Sequence, residues 1–127
     1  MLAIDTSALI EILMLRPRAP DCMAAMARAR ALIMSAGTLT EAMIVARRRG
    51  FGAELDELVA DFQIDIQPVT AAVARRAAAA YDRWGKGVHP AALNFGDCFA
   101  YEVAEANACP LLFVGNDFAQ TDVRAAL

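Results

Sequence analysis

Hydrophobic positions along the chain form short dense runs, separated by longer stretches in which they recur every three or four residues. The runs at residues 2–5, 32–35 and 111–114 predict strands buried on both faces, and the alternation at 64–69 predicts a further strand. Helical spacing predicts helices at residues 6–15, 21–29, 38–49, 53–62, 70–84 and 96–107. Residues 118–127 are predicted to be a short tail with an edge strand and a turn.

Strands that alternate with helices predict an α/β fold in which a parallel sheet lies between two layers of helices. Right-handed crossovers place the carboxyl ends of all the strands at one edge of such a sheet, and ligand sites lie along that edge. The chain has 127 residues and no linker, repeat or low-complexity segment. We therefore expect residues 1–127 to form one domain.

Composition and charge narrow the class of protein. Apolar residues make up 58% of the chain and charged residues 21%, which favours a folded domain over a disordered one. The 3 cysteines have no CxxC spacing, and neither a membrane span nor a signal peptide is recognised, so we expect a cytoplasmic protein. Because the net charge is −3, contact with a nucleic acid would need local arginines or bound cations.

Acidic residues from distant parts of the sequence are predicted to meet at the carboxyl edge of the sheet. Asp5 and Asp117 come just after the ends of strands. Glu41 lies in the first turn of the helix that follows the 32–35 strand, and Asp97 begins the helix that precedes the 111–114 strand. Topology therefore places all four acids on one side of the sheet, although it does not show that they touch.

Each acid also has a purely structural interpretation. Thr38 with Glu41, and Asn94 with Asp97, both have the spacing of a helix capping box. Of the other two acids, the first fits an N-cap and the last fits a turn. These alternatives stay open when each residue is considered alone.

The apolar surroundings of the acids favour a shared chemical role. Carboxylates within a few ångströms of one another repel, and some hold protons unless a cation neutralises them. A set of oxygen ligands suits Mg²⁺ or Mn²⁺, which bind phosphates, polarise them and lower the pKa of a bound water. The sequence thus predicts a divalent-metal site for phosphate chemistry.

Other chemistries fit the sequence less well. A Ser-His-Asp system would depend on His89, the only histidine, which lies in a Gly/Pro-punctuated loop without a GxSxG motif. The chain has no P-loop, no GxGxxG and no Cys/His spacing for zinc. A phosphoacceptor receiver domain also gathers acids at a sheet edge, but it needs a lysine after its last strand. The only lysine, Lys86, comes before the predicted strand at residues 111–114, so this alternative fits poorly.

Four segments together resemble the PIN-domain ribonucleases, specifically the VapC-type toxins of bacterial toxin–antitoxin pairs. The segments are IDTSALI, TLTEA, LNFGDCFAY and LLFVGNDFAQTDV, and they occur in family order over essentially the whole chain. The resemblance implies a three-layer α/β/α fold with a parallel sheet of about five strands. It also implies an endoribonuclease that depends on Mg²⁺ or Mn²⁺ and arrests translation by cutting RNA.

The family's acidic quartet corresponds to Asp5, Glu41, Asp97 and Asp117 of this sequence. The resemblance implies that Asp5 and Asp97 are direct ligands of the metal, with Asp117 and Glu41 ligating it directly or through water. The implied mechanism is in-line attack of a metal-bound water on the scissile phosphate, which gives a 5′-phosphate and a 3′-hydroxyl.

Further residues have roles that the resemblance leaves open. Thr6 or Ser7 matches a family hydroxyl that could position a metal-bound water or a phosphate oxygen, and either could instead cap a helix. Asn116 could position substrate or belong to a turn, and Asp122 matches a less constant acid. The basic segment at residues 46–50, which contains Arg47, Arg48 and Arg49, could contact RNA or complement the dipole of its helix.

The resemblance also implies partners. These are an RNA substrate, a VapB-type antitoxin whose C-terminal segment blocks the acidic pocket, and a second copy of the chain in a homodimer. An arginine of the antitoxin would suit the carboxylate cluster. The alternative to a nuclease is a PIN-like module that binds RNA or protein without cutting.

Overall fold

The computed structural model describes residues 1–127, and its strands alternate with helices as the sequence predicts. The strands are β1 (Leu2–Ile4), β2 (Leu32–Ser35), β3 (Asp65–Gln67) and β4 (Leu111–Leu112). The helices are α1 (Thr6–Leu13), α2 (Ala19–Arg28), α3 (Ala36–Arg48), α4 (Gly52–Asp61), α5 (Ala71–Trp84) and α6 (Phe95–Ala106), and a 3₁₀ helix covers Phe118–Gln120. None of these helices combines the length and the apolar character that crossing a membrane would require.

The strands form one parallel sheet in the order β3-β2-β1-β4. The chain builds the sheet outward from β1 through β2 to β3, and it then crosses to the other side of β1 to add β4. The strand order therefore reverses beside β1. Ligands bind open parallel sheets in the crevice beyond the carboxyl ends of the strands at such a reversal, so the crevice between β1 and β4 is where a site is expected.

Helices cover both faces of the sheet. Successive side chains of β1 point to opposite faces, so Leu2 and Ile4 join a core with α1, α2, α3 and α4. Ala3 joins a second core with α5 and α6. The predicted α/β/α arrangement of three layers is confirmed.

The sheet has four strands, and the expectation of about five is wrong. The predicted fifth strand lies in the tail, where Ala125 makes a single bridge to Leu111 and the backbone otherwise turns through the 3₁₀ helix. Helix α2 also begins earlier than predicted, at Ala19. Pro20 is compatible with this start because the first turn of a helix has no use for the missing N–H.

Candidate active site

Asp5 lies directly after β1 and is the N-cap of α1. Its Oδ2 accepts hydrogen bonds from the Ser7 backbone N–H at 3.0 Å and from the Ser7 hydroxyl at 2.6 Å. The side chain is 4% exposed, and its Oδ1 is buried without a hydrogen-bond partner. Burial raises the pKa of Asp5, the Ser7 hydrogen bonds lower it, and the charge of Glu41 raises it further. Asp5 is therefore both a cap and a buried carboxylate with one oxygen unsatisfied.

Asp97 lies in the first turn of α6, where the predicted capping box is confirmed. The Asn94 side chain accepts from the Asp97 backbone N–H at 2.8 Å, and Asp97 Oδ2 accepts from the Asn94 backbone N–H at 3.0 Å. Burial and, to a smaller extent, the charges of Asp5, Asp117 and Glu41 raise the pKa of Asp97 to about 6, against the opposing effect of the Asn94 hydrogen bond. Asp5, Asp117 and Glu41 are thus close enough to Asp97 for their charges to influence its protonation.

Glu41 does not lie in the first turn of its helix, contrary to the prediction, and the alternative in which it forms a capping box with Thr38 is excluded. Helix α3 begins earlier than expected because Ser35, the last residue of β2, is its N-cap and accepts from the Gly37 N–H at 3.2 Å. Glu41 instead lies one turn further along α3 and reaches α6, where a Cβ placed on Gly96 would be 2.7 Å from Glu41 Cδ. The missing side chain of Gly96 is therefore what admits the Glu41 carboxylate beside Asp97.

Asp117 lies in the exposed turn after β4, where Gly115 has a φ of 117° that favours glycine. The charge of Asp117 raises the pKa of Asp97, so Asp117 lies near Asp97, although it does not line the pocket that the other three acids share. Asn116 is exposed in the same turn, and its carbonyl accepts from the Gln120 side chain at 3.5 Å.

The two hydroxyl residues after Asp5 have different hydrogen-bond partners. The Ser7 hydroxyl donates to Asp5 and accepts from the Val114 backbone N–H at 3.0 Å, which ties α1 to the turn after β4. The Thr6 hydroxyl donates to the Thr38 carbonyl of α3 at 3.2 Å. Ser7 therefore fixes the orientation of the Asp5 carboxylate directly, and Thr6 ties α1 to α3.

An open pocket of about 260 Å³ lies among these residues at the carboxyl edge of the sheet. Its lining is mostly polar and consists of Asp5, Thr6, Ser7, Ile10, Glu11, Arg16, Glu41, Asn94, Asp97 and Val114. Sequence reasoning did not predict Glu11 or Arg16 there. A signal existed for Glu11, because it is a lone acid in an apolar helix and is 6% exposed in the structure. Arg16 shares with the other arginines of the sequence the choice between RNA contact and simple exposure to solvent, and nothing in the sequence places it in the pocket.

Comparison with known proteins identifies the fold family. Residues 2–124 match the PIN domain, and ribonuclease VapC36 of Mycobacterium tuberculosis is 42% identical over 124 residues, which are 94% of this chain and 89% of that protein. The chain belongs to the PIN-domain family and is of the VapC type. The crystal structure of VapC20 from Mycobacterium tuberculosis, described as a sarcin-ricin loop cleaving toxin, covers 97% of this PIN domain with a TM-score of 0.77 at 16% identity. The alignment spans 96% of the VapC20 chain.

A second solved structure is a toxin–antitoxin complex from Klebsiella pneumoniae. It covers 96% of this PIN domain and 93% of its own chain, with a TM-score of 0.74 at 19% identity. At such low identity, both structural comparisons support the shared fold alone.

The acids of this PIN domain do not form a preassembled metal site, because no three acidic, histidine or cysteine side chains are grouped tightly enough to hold an ion. Their chemistry nevertheless fits Mg²⁺ or Mn²⁺. Mg²⁺ keeps several waters and takes only one or two carboxylates directly, so a looser set of acids suffices. A cation would pair with the buried, unpartnered Oδ1 of Asp5. It would also offset the burial and the neighbouring negative charges that raise the pKa of Asp97.

Several residues considered from the sequence lie outside the pocket. Asp122 accepts a hydrogen bond from the Tyr101 hydroxyl at 2.6 Å and pairs with Arg83 at 3.4 Å, so in this structure it joins the tail to α5 and α6. His89 accepts from the Ala91 backbone N–H at 3.0 Å and does not line the acidic pocket. The exposed arginines at the end of α3 are also absent from its lining: Arg47, Arg48 and Arg49.

Proposed function

We propose that this chain is the endoribonuclease toxin of a toxin–antitoxin pair and that its activity depends on Mg²⁺ or Mn²⁺. The observation that supports the metal dependence is the buried Oδ1 of Asp5, which has no hydrogen-bond partner. Three further acids lie in the same region and add negative charge that a cation would neutralise. The names of the VapC relatives, which are called ribonucleases, support the choice of RNA as substrate.

Asp5 and Asp97 would hold the metal directly, with Glu41 and Asp117 ligating it directly or through water. When bound, the ion would neutralise the carboxylates, polarise the scissile phosphate and lower the pKa of a water. The protein's own contribution is orientation, because Ser7 fixes one Asp5 oxygen and the Asn94 N–H fixes one Asp97 oxygen. Each acid therefore presents its remaining oxygen in a defined direction.

We expect the proposed metal-dependent cleavage to be faster at neutral pH than at acidic pH. The raised pKa of Asp97, about 6, means that a competing proton is held more tightly than by an ordinary carboxylate. Metal binding must displace that proton, so cleavage should increase with pH between about 5 and 7. The attacking group in this proposal is water, and the products carry a 5′-phosphate and a 3′-hydroxyl.

The proposed partners are a VapB-type antitoxin and a second copy of the chain, acting in the cytoplasm. A toxin–antitoxin complex among the structures that share this fold supports the antitoxin. An arginine of the antitoxin placed in the pocket would pair with acids that have no basic partner in the structure, since its only ion pairs are Arg18–Asp21, Arg76–Glu102 and Arg83–Asp122.

The test compares the wild type with Asp97→Asn on structured RNA in Mg²⁺, in Mn²⁺ and with a chelator. Asp61→Asn is the matched control, because Asp61 is an exposed acid at the end of α4 and away from the pocket. We expect cleavage by the wild type and by the control only when metal is present, and none by Asp97→Asn. Equal cutting by all three proteins would remove Asp97 from the active site, and RNA binding without cutting by all three would favour the non-catalytic module.

A further inference from the structure

The turn between α1 and α2 brings a basic side chain to the rim of the acidic pocket. Arg16 is the only basic residue among those that line the pocket, and it takes part in none of the three ion pairs of the structure. Arg18, two residues later, pairs with Asp21 at 3.2 Å and does not line the pocket. The two arginines of this turn therefore differ, because Arg16 lines the acidic pocket without an ion pair and Arg18 is paired outside it.

A buried acid holds this turn in place. The Glu11 carbonyl accepts from the Arg16 backbone N–H at 3.0 Å, and Glu11 Oε2 accepts from the Arg18 backbone N–H at 2.9 Å. Leu15, which precedes the turn, has a φ of 52°, a conformation that persists only where surrounding contacts impose it. Arg16 thus extends from a fixed backbone rather than from a loose loop.

Binding of RNA, the proposed substrate, requires positive charge near the pocket. Its acids repel the phosphates of RNA, and the net charge of −3 gives no overall attraction. A metal at the carboxylates would contact the phosphate that is cut, but it would leave the neighbouring phosphates unpaired. The planar guanidinium of arginine, with its fork of N–H donors, matches a phosphate bidentately.

We propose that Arg16 binds the backbone phosphate of the RNA next to the scissile one and so sets the position of the strand over the acidic pocket. The inference rests on the proposed function, and it adds a substrate-positioning residue that lies outside the acidic quartet. Arg18 serves as its matched control, because the exposed ion pair with Asp21 contributes little to stability.

The test measures RNA binding in the Asp97→Asn protein, so that the RNA stays uncut. A labelled single-stranded RNA is titrated at constant magnesium and at several potassium chloride concentrations. Loss of one phosphate contact lowers the slope of log Kd against log salt by about 0.7 for a single strand. We expect this decrease for Arg16→Ala and no decrease for Arg18→Ala. Arg16→Lys should keep the slope and bind more weakly, because the charge remains and the planar fork is lost.

In the protein with Asp97 intact, Arg16→Ala should raise KM and change kcat only a few-fold, because the contact is equally strong in the ground and transition states. An unchanged salt slope for Arg16→Ala, or an equal decrease for Arg18→Ala, would overturn the proposal. So would a loss of antitoxin binding with RNA binding intact, which would assign the turn to a protein partner. A wild type that binds RNA through Arg16 without cutting it would refute the proposed function and leave this contact standing.

Discussion

Replacing Gly96 with alanine is expected to move the Glu41 carboxylate while leaving the fold intact. Gly96 is buried in the first turn of α6. A Cβ there would lie 2.7 Å from Glu41 Cδ and 3.2 Å from Oε1, and it would be closer still to Oε2. Carbon atoms in contact are separated by about 3.5 Å or more, so the carboxylate must retreat by roughly 1 Å.

The magnitude follows from which atoms have to move. A carboxylate at the end of a flexible side chain can turn aside cheaply, and alanine is favoured over glycine in a helix by about 1 kcal/mol. We therefore expect the free energy of unfolding to change by less than about 1 kcal/mol. A displacement of about 1 Å in an active site costs about 100-fold in rate, and we expect a loss of this size in RNA cleavage.

The assay pairs initial rates of RNA cleavage at saturating metal with thermal unfolding. Gly52→Ala is the control, because Gly52 also lies in the first turn of a helix, and the nearest atom to its added Cβ is Arg47 Cγ at 3.0 Å. The control should cleave at the wild-type rate. In a Glu41→Ala background, Gly96→Ala should cause no further loss of activity.

Three results would refute this reasoning. Wild-type cleavage by Gly96→Ala would show that the position of Glu41 does not matter to the chemistry. A fall in Tm of many degrees would show that the backbone, rather than the Glu41 side chain, absorbs the added methyl group. A further loss of activity in the Glu41→Ala background would also count against it.

Other predictions concern protonation, a hydroxyl and metal binding. The folded pKa of Asp97 is about 6 and lies above its unfolded value of 3.8, so the folded state binds more protons between those values. The unfolding free energy of the metal-free protein should therefore fall as the pH rises from 4 to 7, by about 1–2 kcal/mol because solvent partly screens the half-buried carboxylate. Urea titrations across this range check the sign, and Asp97→Asn should flatten the dependence; an unchanged profile would contradict the assignment. Ser7→Ala leaves the Val114 N–H without its partner and removes the hydroxyl donor to the buried Asp5 carboxylate, which keeps only the Ser7 backbone N–H, and it should destabilise the protein by about 1–3 kcal/mol. A denaturation midpoint equal to that of the wild type would be inconsistent with the two hydroxyl bonds. Millimolar Mn²⁺ should raise Tm at pH 8 more than at pH 5, because protons compete for the carboxylates at low pH, and equal shifts at both values would place the ion elsewhere.

Sequence reasoning located the acids because strand ends and helix starts are local features of the chain. Asp5 follows an apolar run, and the Asn94–Asp97 spacing matches the capping box that the structure contains. The same reasoning failed at Thr38 and Glu41, where the segment SAGTLTE offers two possible caps. Ser35 takes that role because it ends β2, at a position fixed by its pairing with Gln67 of β3, which local sequence does not reveal.

The remaining features of the pocket depend on packing between distant segments. Arg16 is placed by the hydrogen bonds of its turn to buried Glu11, and nothing in the RPRAP segment specifies them. The approach of Glu41 to Gly96 brings together two residues of different helices that are more than fifty positions apart in sequence. The tail is predicted to contain an edge strand and a turn, but a single bridge from Ala125 is all the strand pairing that forms.

Asp5 and Asp97 each begin a helix, and the two helices pack on opposite faces of the sheet. An ion shared by both carboxylates would therefore act as a cross-link between the outer layers of the molecule, at the point where both helices start. Under the proposed function, metal supply would govern the mechanical rigidity of the toxin as well as its chemistry. Proteases would then degrade the metal-free protein faster than the metal-bound protein.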